Sequence, residues 1–527
     1  MGHAEILIAG LLVAVAGLSA LARRLSTPYP IVLVVGGALV GFVPGLPEVK
    51  LDPEVVLVVF LPPLLYGAAF FANLGHIRRS LRPITLNSVL LVLCTMSAVA
   101  VGAHELIDGL SWSAAFTLGA VVSPTDPLAG ATIMRNLGVP RRLVNVVEAE
   151  GLFNDATALV AYRVAVVAVV SGSFSLAEAG MRFLGGAAGG FAIGLVVGWL
   201  IAEIRSRTND AQVSITISLL SGYAAFVPAD ALGVSGVIAA VTTGLYMGVR
   251  GPRIIPARIR LQGFMTWEIL DFLINATLFV LVGLQLRTVV DGLDGISAST
   301  LAGYALAVSG IVIATRLVWS FTMPYVIRLL DRRPSQRARR VGARPRLVIA
   351  WSGMRGAVSL AAALAIPLET DAGAAFPQRD LIIFLTFAVI FGTLVLQGLT
   401  LGPLIRWLGI SDDGADEQEE VRARLVATRA ALEQLDVLAA EDWTRDDTVE
   451  RMRALYEYRS RRFGAQAGKV EDDGYEDRAL TYQRMVQSVL VAQRESLVQL
   501  RDEGLISNEV MNRVVREFDL EESRLEI

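Results

Sequence analysis

The sequence TLGAVVSPTDPLAGATIM, residues 117–134, places an acidic residue, Asp126, between two prolines inside an apolar run. The next apolar run contains a second acidic cluster, EGLFND at residues 150–155. A carboxylate at the centre of a bilayer costs about 2.5 to 3.5 kcal/mol even on lenient insertion scales, so such residues are kept for a function. If these runs cross a membrane, their carboxylates are predicted to handle a cation or a proton.

The composition indicates that these runs are membrane-spanning helices. Of the 527 residues, 54% are hydrophobic and only 18% are charged, and the mean hydropathy is +0.55, which is outside the usual range of soluble domains. The chain is therefore predicted to be an all-α polytopic membrane protein. The formal net charge of −3 says little about partners; the lipid bilayer is one, and no nucleic acid is expected.

Apolar stretches of about 20 residues predict thirteen spans. They lie near 5–22, 29–45, 54–73, 83–108, 112–134, 144–170, 176–202, 211–228, 232–249, 262–286, 297–327, 347–367 and 381–408. Arg and Lys are concentrated in alternate loops, unevenly around the ninth span, and short loops rich in these residues are cytoplasmic. The prediction is a multi-pass protein of the plasma or inner membrane, with its N-terminus outside and its C-terminus in the cytoplasm.

From residue 411 the composition becomes polar, beginning with SDDGADEQEE. Apolar residues then recur at helical spacing within 421–438, 449–458, 480–500 and 510–520, separated by breaks rich in Gly or Asp. We therefore expect a transmembrane domain at 1–410 and a soluble, cytoplasmic helical region at 411–527. That region is either an ordinary solvated appendage or an element of regulation or dimer contact.

Two predicted spans are interrupted at matching positions. Pairing the first six spans with the last six sets span five against span twelve, and the breaks lie at Pro124 and Pro127 and at Gly353 and Gly356. Each break carries one charge, Asp126 in the first and Arg355 in the second. Transporters with inverted repeats form their substrate site from such interrupted helices. We therefore predict two inverted six-helix repeats with crossed broken helices.

The first break offers oxygen ligands to a hard cation. A proline removes a backbone donor and disturbs the helix, which frees carbonyl groups where the backbone lines a cavity. The carboxylate of Asp126 and the hydroxyl of Thr125 lie beside these carbonyls. Such oxygens are the ligands that hard cations such as Na+ prefer, whereas the single cysteine and three histidines offer no soft-metal site.

Helical geometry sorts the second acidic cluster into two faces. At about 100° per residue, Asp155 shares one face with Gly151, whereas Glu150 and Asn154 share another. Gly151 is expected to leave room beside Asp155 for an ion and its water. Because loss of water favours the neutral form of a carboxyl group, Asp155 could exchange a proton for a cation near physiological pH. Asn154, also placed at the ion site, is expected to position helices rather than to ligate the ion.

Arg355 needs an acidic partner, because an unpaired guanidinium is costly in a membrane. Glu150 is the predicted partner in a structural ion pair, with Glu148 as the competing choice. The scattered tryptophans, such as Trp319, fit interfacial belts. Other polar residues in spans are expected to form further pairs, lie near interfaces or pack helices: Arg163, Glu268, Asp271, Asn275 and Arg316.

Five motifs follow one another along the first 410 residues: LPPLLYGAAF (61–70), SPTDPLA (123–129), EGLFNDATALV (150–160), FLINATLFVLVGLQL (272–286) and GMRGAVSLA (353–361). In this order they resemble the monovalent cation/proton antiporters of the Na+/H+ exchanger type. The C-terminal region is similar to the cytoplasmic extension of bacterial members. The resemblance implies a homodimer in which a six-helix core domain moves against a dimerisation domain, in an elevator-like cycle of alternating access.

The resemblance also implies roles for single residues. Asp155 becomes the ion and proton carrier, Asp126 and Thr125 lie near the ion, and Glu150 and Arg355 form a stabilising pair. The residue before the carrier is Asn154 and not a second Asp. In this respect the chain resembles the electroneutral branch of the family, which exchanges one cation for one proton. The implied substrates are H+ and a monovalent cation, Na+ first with K+ or Li+ as alternatives. No cofactor is expected, and the protein is not expected to be an enzyme.

Two positions depart from the family's pattern. Gly151 stands where the family often has Ser, so a hydroxyl is missing from the Asp155 face, and water could fill its place. Gly67 stands where many relatives carry an acidic residue. The first departure leaves the preference between Na+ and K+ open.

Two other functions are weighed against antiport. An intramembrane aspartyl protease also places two Asp residues in neighbouring spans as an acid/base dyad, but neither Asp126 nor Asp155 has the Gly-x-Gly-Asp setting, and Arg355 would have no role. The other is an ion-gated receptor that signals through the C-terminal region. Deletion of the residues after 410, followed by a flux measurement, would distinguish the receptor from a transporter.

Overall fold

The computed structural model describes residues 3–25, 27–43, 56–72, 74–79, 81–172, 176–291, 293, 296–330, 341–412, 414–468 and 474–525. These residues are almost entirely helical, apart from turns, linkers and an isolated bridge between Glu369 and Ala375. Residues 331–340, which belong to one of the predicted loops rich in Arg, lie outside the described residues.

Helices form both the membrane part and the polar C-terminal part of the chain. The first group is α1 His3–Arg24, α2 Tyr29–Gly41, α3 Leu61–Phe71, α4 Leu74–Arg79, α5 Leu81–Thr85, α6 Val92–Leu106, α7 Trp112–Val122, α8 Pro127–Asn136 and α9 Arg141–Val170. The second is α10 Leu176–Ser206, α11 Ala211–Ala231, α12 Gly236–Ile254, α13 Ala257–Asp291, α14 Ala298–Leu330, α15 Ala343–Trp351, α16 Ala357–Leu364 and α17 Arg379–Leu408. Short π-helical segments, Val56–Phe60 and Leu86–Leu91, precede α3 and α6.

Seven helices in the described part of the chain are long and apolar enough to cross a membrane: Leu86–Leu106, Arg141–Val170, Phe183–Ser206, Ala211–Ala231, Ala257–Arg287, Ala298–Leu329 and Arg379–Leu408. The predicted fifth and twelfth spans are absent from this set, because each is divided into two short helices, α7 with α8 and α15 with α16. The thirteen-span topology and its inverted repeats stay predictions.

The sequence explains how the first break forms. Asp126 precedes a proline, which disfavours helical dihedral angles, and its backbone is extended with φ −81° and ψ 114°. Its side chain caps α8, because Oδ1 accepts a hydrogen bond from the backbone N–H of Leu128 at 2.8 Å. Pro127 is the first helical residue, where its missing N–H has no cost. The break is thus encoded by two adjacent residues.

Helix α13 is held against α2 by two glycines. A Cβ on Gly37 would overlap the carbonyl oxygen of Val280, and a Cβ on Gly283 would overlap that of Val34. Small residues let helix backbones approach closely in membranes. This contact fixes the position of α13, whose earlier turns reach the cavity described below.

The chain divides into two compact units, residues 1–412 and 413–527. The second contains α18 Ala415–Leu438, α19 Asp446–Gln466, α20 Tyr475–Asp502 and α21 Asn508–Leu525. Arg494 of α20 pairs with Glu522 at 2.5 Å and Asp519 at 2.7 Å, both on α21. Hydrogen bonds from Arg494 to Glu522 and Asp519 raise the pKa of this guanidinium above its ordinary value. These helices extend beyond the segments that the apolar spacing predicted.

Candidate ion-binding site

The two helix breaks contact each other. The backbone N–H of Asp126 donates to the carbonyl oxygen of Met354 at 2.8 Å. Gly356 lies against the Asp126 carboxylate, where a Cβ would overlap Oδ2, and Gly130 lies close to Ser352, whose carbonyl oxygen would be 3.1 Å from an added Cβ. The glycine at 356 is therefore what allows the acidic residue of the first break to reach the second.

A cavity of about 330 Å³ lies beside this contact. Its walls come from both breaks, from α9, and from α3 and α13. The polar residues that line it are Thr125, Asp126, Arg135, Asn145, Glu148, Asp155, Asp271, Asn275 and Ser359. Three of the four residues predicted at the ion site, Thr125, Asp126 and Asp155, thus face one cavity.

Asp155 is the most buried of the unpaired carboxylates of this cavity. It is 9% exposed, and among the described residues no donor bonds its side chain. Gly151 faces the cavity one turn earlier, as the helical geometry predicted. The position that a side chain at 151 would take is not free for water, because the Pro127 ring fills it: a Cβ on Gly151 would lie 2.5 Å from Cδ of Pro127. Close packing explains this difference, since a neighbour moves into the space that a missing side chain leaves. The cavity beside Asp155 is open.

Asn154 lies behind the cavity wall instead of lining it. Its Nδ2 donates to Oγ1 of Thr125 at 2.6 Å, and the residue is 2% exposed. Its amide therefore ties α9 to the first break, which is a positioning contact. Its Oδ1 has no hydrogen-bond partner among the described residues.

Glu150 pairs with a different arginine from the one that was predicted. Its Oε1 accepts from Nη1 of Arg316 at 2.5 Å, and its Oε2 accepts from Nδ2 of Asn87 at 2.9 Å. Both members of the ion pair are almost fully buried, 1% and 3% exposed. The described residues contain no Glu150–Arg355 ion pair, and Glu148, the competing choice, pairs instead with Arg135.

The Arg355 side chain donates its hydrogen bonds to backbone carbonyl oxygens. Its Nε donates to the carbonyl oxygen of Val122 at 3.1 Å, and its Nη1 donates to that of Gly353. Val122 is the last residue of α7, so the guanidinium lies at the negative end of that helix dipole. This is the physical reason why Arg355 does not need the Glu150 carboxylate as a direct partner.

Arg316 likewise bonds the carbonyl oxygens at the C-terminal end of α15, the first half of the second interrupted helix. Its Nε donates to the carbonyl oxygen of Ala350 at 3.1 Å and its Nη2 to that of Ile349 at 3.2 Å, both in the last turn of α15. Gly353 makes this approach possible, since a Cβ there would overlap the guanidinium. Each interrupted helix therefore has an arginine at its C-terminal end.

The sequence patterns missed several residues that the structure brings to this region. Trp319, expected in an interfacial belt, donates from Nε1 to Oδ1 of Asn87 at 3.0 Å and so supports Glu150 indirectly. Asp271 lines the cavity, although no substrate role was predicted for it. The spacing of Asp271 and Asn275, one helical turn apart in an apolar run, was the available signal.

The cavity has an excess of negative charge. Asp126, Asp155 and Asp271 have no cationic partner among the described residues, and Arg135 is engaged by Glu148. Within the described ranges, no three His, Cys, Asp or Glu side chains lie close enough to hold one metal ion together. The arrangement suits a cation that passes through with some of its water.

Comparison with known proteins agrees with this geometry. Residues 10–407 match the family described as sodium/hydrogen exchanger, transmembrane. The chain is 38% identical over 526 residues to an uncharacterised Na+/H+ exchanger of Mycobacterium tuberculosis, with 99% of this chain and 96% of that protein covered. It is 28% identical over 503 residues to a sodium, potassium, lithium and rubidium/H+ antiporter of Bacillus subtilis, with 93% and 73% covered.

The fold is similar to that of the sodium proton antiporter MjNhaP1 from Methanocaldococcus jannaschii. The TM-score is 0.62 at 19% sequence identity, and the match covers 77% of this chain and 98% of the other. The resemblance that the five motifs predicted is thereby confirmed. The chain belongs to the transmembrane sodium/hydrogen exchanger family, whose members are antiporters rather than enzymes and move cations as substrates without a cofactor.

Proposed function

We propose that the protein exchanges one Na+ for one H+ across the cell membrane, with Asp155 as the carrier of both. The observation that supports this most directly is a buried carboxylate that has no partner among the described residues and faces a cavity at the contact of two helix breaks. Such a carboxylate needs either a proton or a cation to offset its charge. Because one group serves both ions, the arrival of one favours the departure of the other.

The residues around Asp155 support the same mechanism. Asp126 and Thr125 line the cavity on the side of the first break, where they offer a carboxylate and a hydroxyl to a hard cation. Asn154 is neutral and holds Thr125. With Asp155 as the one exchanging carboxylate, each cycle moves one charge in each direction, which makes the exchange electroneutral.

Alternating access in this proposal follows an elevator-like movement in a homodimer of thirteen-span protomers. The N-terminus is outside, and residues 411–527 form a cytoplasmic region. In this proposal the moving part contains the breaks and α9, the other part contains α3 and α13, and residues of both parts line the cavity. Movement of the first part past the second would carry Asp155 across the membrane.

Exchange of K+ or Li+ is the second candidate for the cation. The name of the Bacillus subtilis relative includes sodium, potassium, lithium and rubidium, and the missing hydroxyl at Gly151 removes one ligand that could favour a small cation. Na+ stays the first choice because the matching family is described as a sodium/hydrogen exchanger, and the polar groups of the cavity offer the oxygen ligands that Na+ accepts.

Reconstitution into liposomes that hold a proton gradient tests the proposal. Addition of Na+ should dissipate the gradient at a rate that does not depend on an imposed membrane potential, and K+ and Li+ added in turn give the order of preference. A gradient that persists with every cation contradicts antiport. A rate that changes with potential contradicts electroneutral exchange while leaving antiport in place.

A further inference from the structure

Helix α13 turns one face toward the cavity over three successive turns. Trp267, Asp271 and Asn275 are four residues apart, which places them on one side of a helix, and all three line the cavity. The indole of Trp267 packs on Tyr66 with ring centroids 5.5 Å apart, and its Nε1 donates to Oγ of Ser218 at 3.1 Å. This anchored indole fixes the rotation of α13 and therefore directs Asp271 into the cavity.

Asp271 has no cationic partner in the part of the chain that the structure describes. Its backbone carbonyl accepts from Nδ2 of Asn275 at 2.9 Å, and it lines the same cavity as the like-charged Asp126. The nearest cationic side chain of the cavity lining, Arg135, is bound to Glu148. A half-buried carboxylate without a counter-charge is unfavourable, and a mobile cation is the remaining source of positive charge.

Two more buried groups of the cavity also lack a partner in the part of the chain that the structure describes. Asp155 is 9% exposed and unpaired, and the hydroxyl of Ser359, a residue 1% exposed, has no hydrogen-bond partner among the described residues. Buried polar groups are normally bonded, and both groups offer the oxygen ligands that hard cations accept. The unpaired groups point to a cation that visits the cavity and supplies these contacts.

We propose that Asp271 is a first binding station, where an alkali-metal cation is held with part of its water before it reaches Asp155. The proposal rests on the antiport function proposed above. Among the described residues, the acidic groups do not form a set of three that could hold one metal ion together, and in this proposal Asp271 and Asp155 hold the cation in turn. Asp271 is the more exposed of the two and belongs to α13, which packs on α2. It therefore captures the cation and takes no part in the obligatory exchange with a proton.

The variant Asp271→Asn tests this role in proton-loaded liposomes, with the rate of gradient loss measured against Na+ concentration. Loss of the capturing charge should raise the half-saturating Na+ concentration by about five-fold or more and leave the maximal rate within about two-fold of wild type. Asp271→Glu keeps the charge and should restore the wild-type concentration. Glu268→Gln is the matched control, because Glu268 is an exposed acidic residue one turn earlier that does not line the cavity.

The outcomes separate this inference from the function on which it rests. Wild-type exchange with an unchanged half-saturating concentration in Asp271→Asn overturns the inference alone. A lower maximal rate without a change in that concentration also overturns it, because it indicates a structural role, as does an equal defect in Asp271→Glu. Failure of the wild type to exchange any cation overturns the proposed function, and the inference with it.

Discussion

On helix α9, the side that carries Asp155 faces a cavity in which no described residue pairs with that carboxylate, whereas the side that carries Glu150 is bonded to Arg316 and Asn87. The two acids lie five positions apart in one apolar helix, and each would be costly alone in a membrane. Their partners differ, and so do their roles. A buried acid whose hydrogen bonds are satisfied by the protein has a structural role. A buried acid whose hydrogen bonds are not satisfied is available to bind a substrate.

The largest effect is expected from removing the charge of Asp155. Asp155→Asn keeps the shape of the side chain but can neither release a proton nor neutralise a cation, so exchange should fall to the level of protein-free liposomes at every pH. The measurement is cation-driven loss of a proton gradient. Glu268→Gln serves as the control, because Glu268 is an exposed acid that does not line the cavity, and exchange that survives in Asp155→Asn would show that another carboxylate is the carrier.

The next effect concerns the partner of Glu150. Arg316→Gln leaves a buried carboxylate without its counter-charge, which should cost about 3 to 5 kcal/mol of stability. Double-mutant cycles with Glu150→Gln, measured by denaturant unfolding in detergent, should give a coupling of about 2 to 3 kcal/mol for Arg316 and under about 1 kcal/mol for Arg355. A larger coupling energy for Arg355 than for Arg316 would instead support the Glu150–Arg355 pair that the sequence predicted.

The smallest effect is expected at Gly151, on the cavity face. Gly151→Ala places a methyl group against the Pro127 ring, and overpacking of this kind should cost about 1 to 3 kcal/mol. Gly303→Ala is the matched control, because it lies in the membrane helix α14 with nothing within 4 Å of an added Cβ, and it should be neutral or stabilising. Equal stability of the two variants would mean that α9 moves away from the first break without cost.

The sequence was sufficient to locate the helix breaks and to separate the two faces of α9. Prolines and glycines inside apolar runs act on the local backbone, and the angle of about 100° per residue is a property of one helix. Both effects are local, so they can be read without knowledge of the rest of the fold. The N-cap that Asp126 provides is also a local effect, because its side chain bonds the backbone two residues later.

The partners across helices could not be predicted in this way. Helical geometry shows the direction in which Glu150 points, but the choice between Arg316 and Arg355 depends on which helix packs there and on the carbonyls that compete for each guanidinium. Asp271 was missed for the same reason, since the contacts of α13 with α2 and of Trp267 with Tyr66 and Ser218 direct its face toward the cavity. The filled space at Gly151 likewise depends on the approach of Pro127.

The two arginine caps join parts of the chain that are far apart in sequence. Arg355 caps α7 across 233 residues, and Arg316 reaches Glu150 across 166. During synthesis, α7 and α9 therefore emerge long before the cationic groups that satisfy them, and chains acquire structure as their segments appear. The nascent N-terminal half must hold an uncapped helix and an unpaired glutamate until the second half is inserted. The ion site is thus completed late in biogenesis, and a chain truncated before Arg316 would expose both groups to quality control.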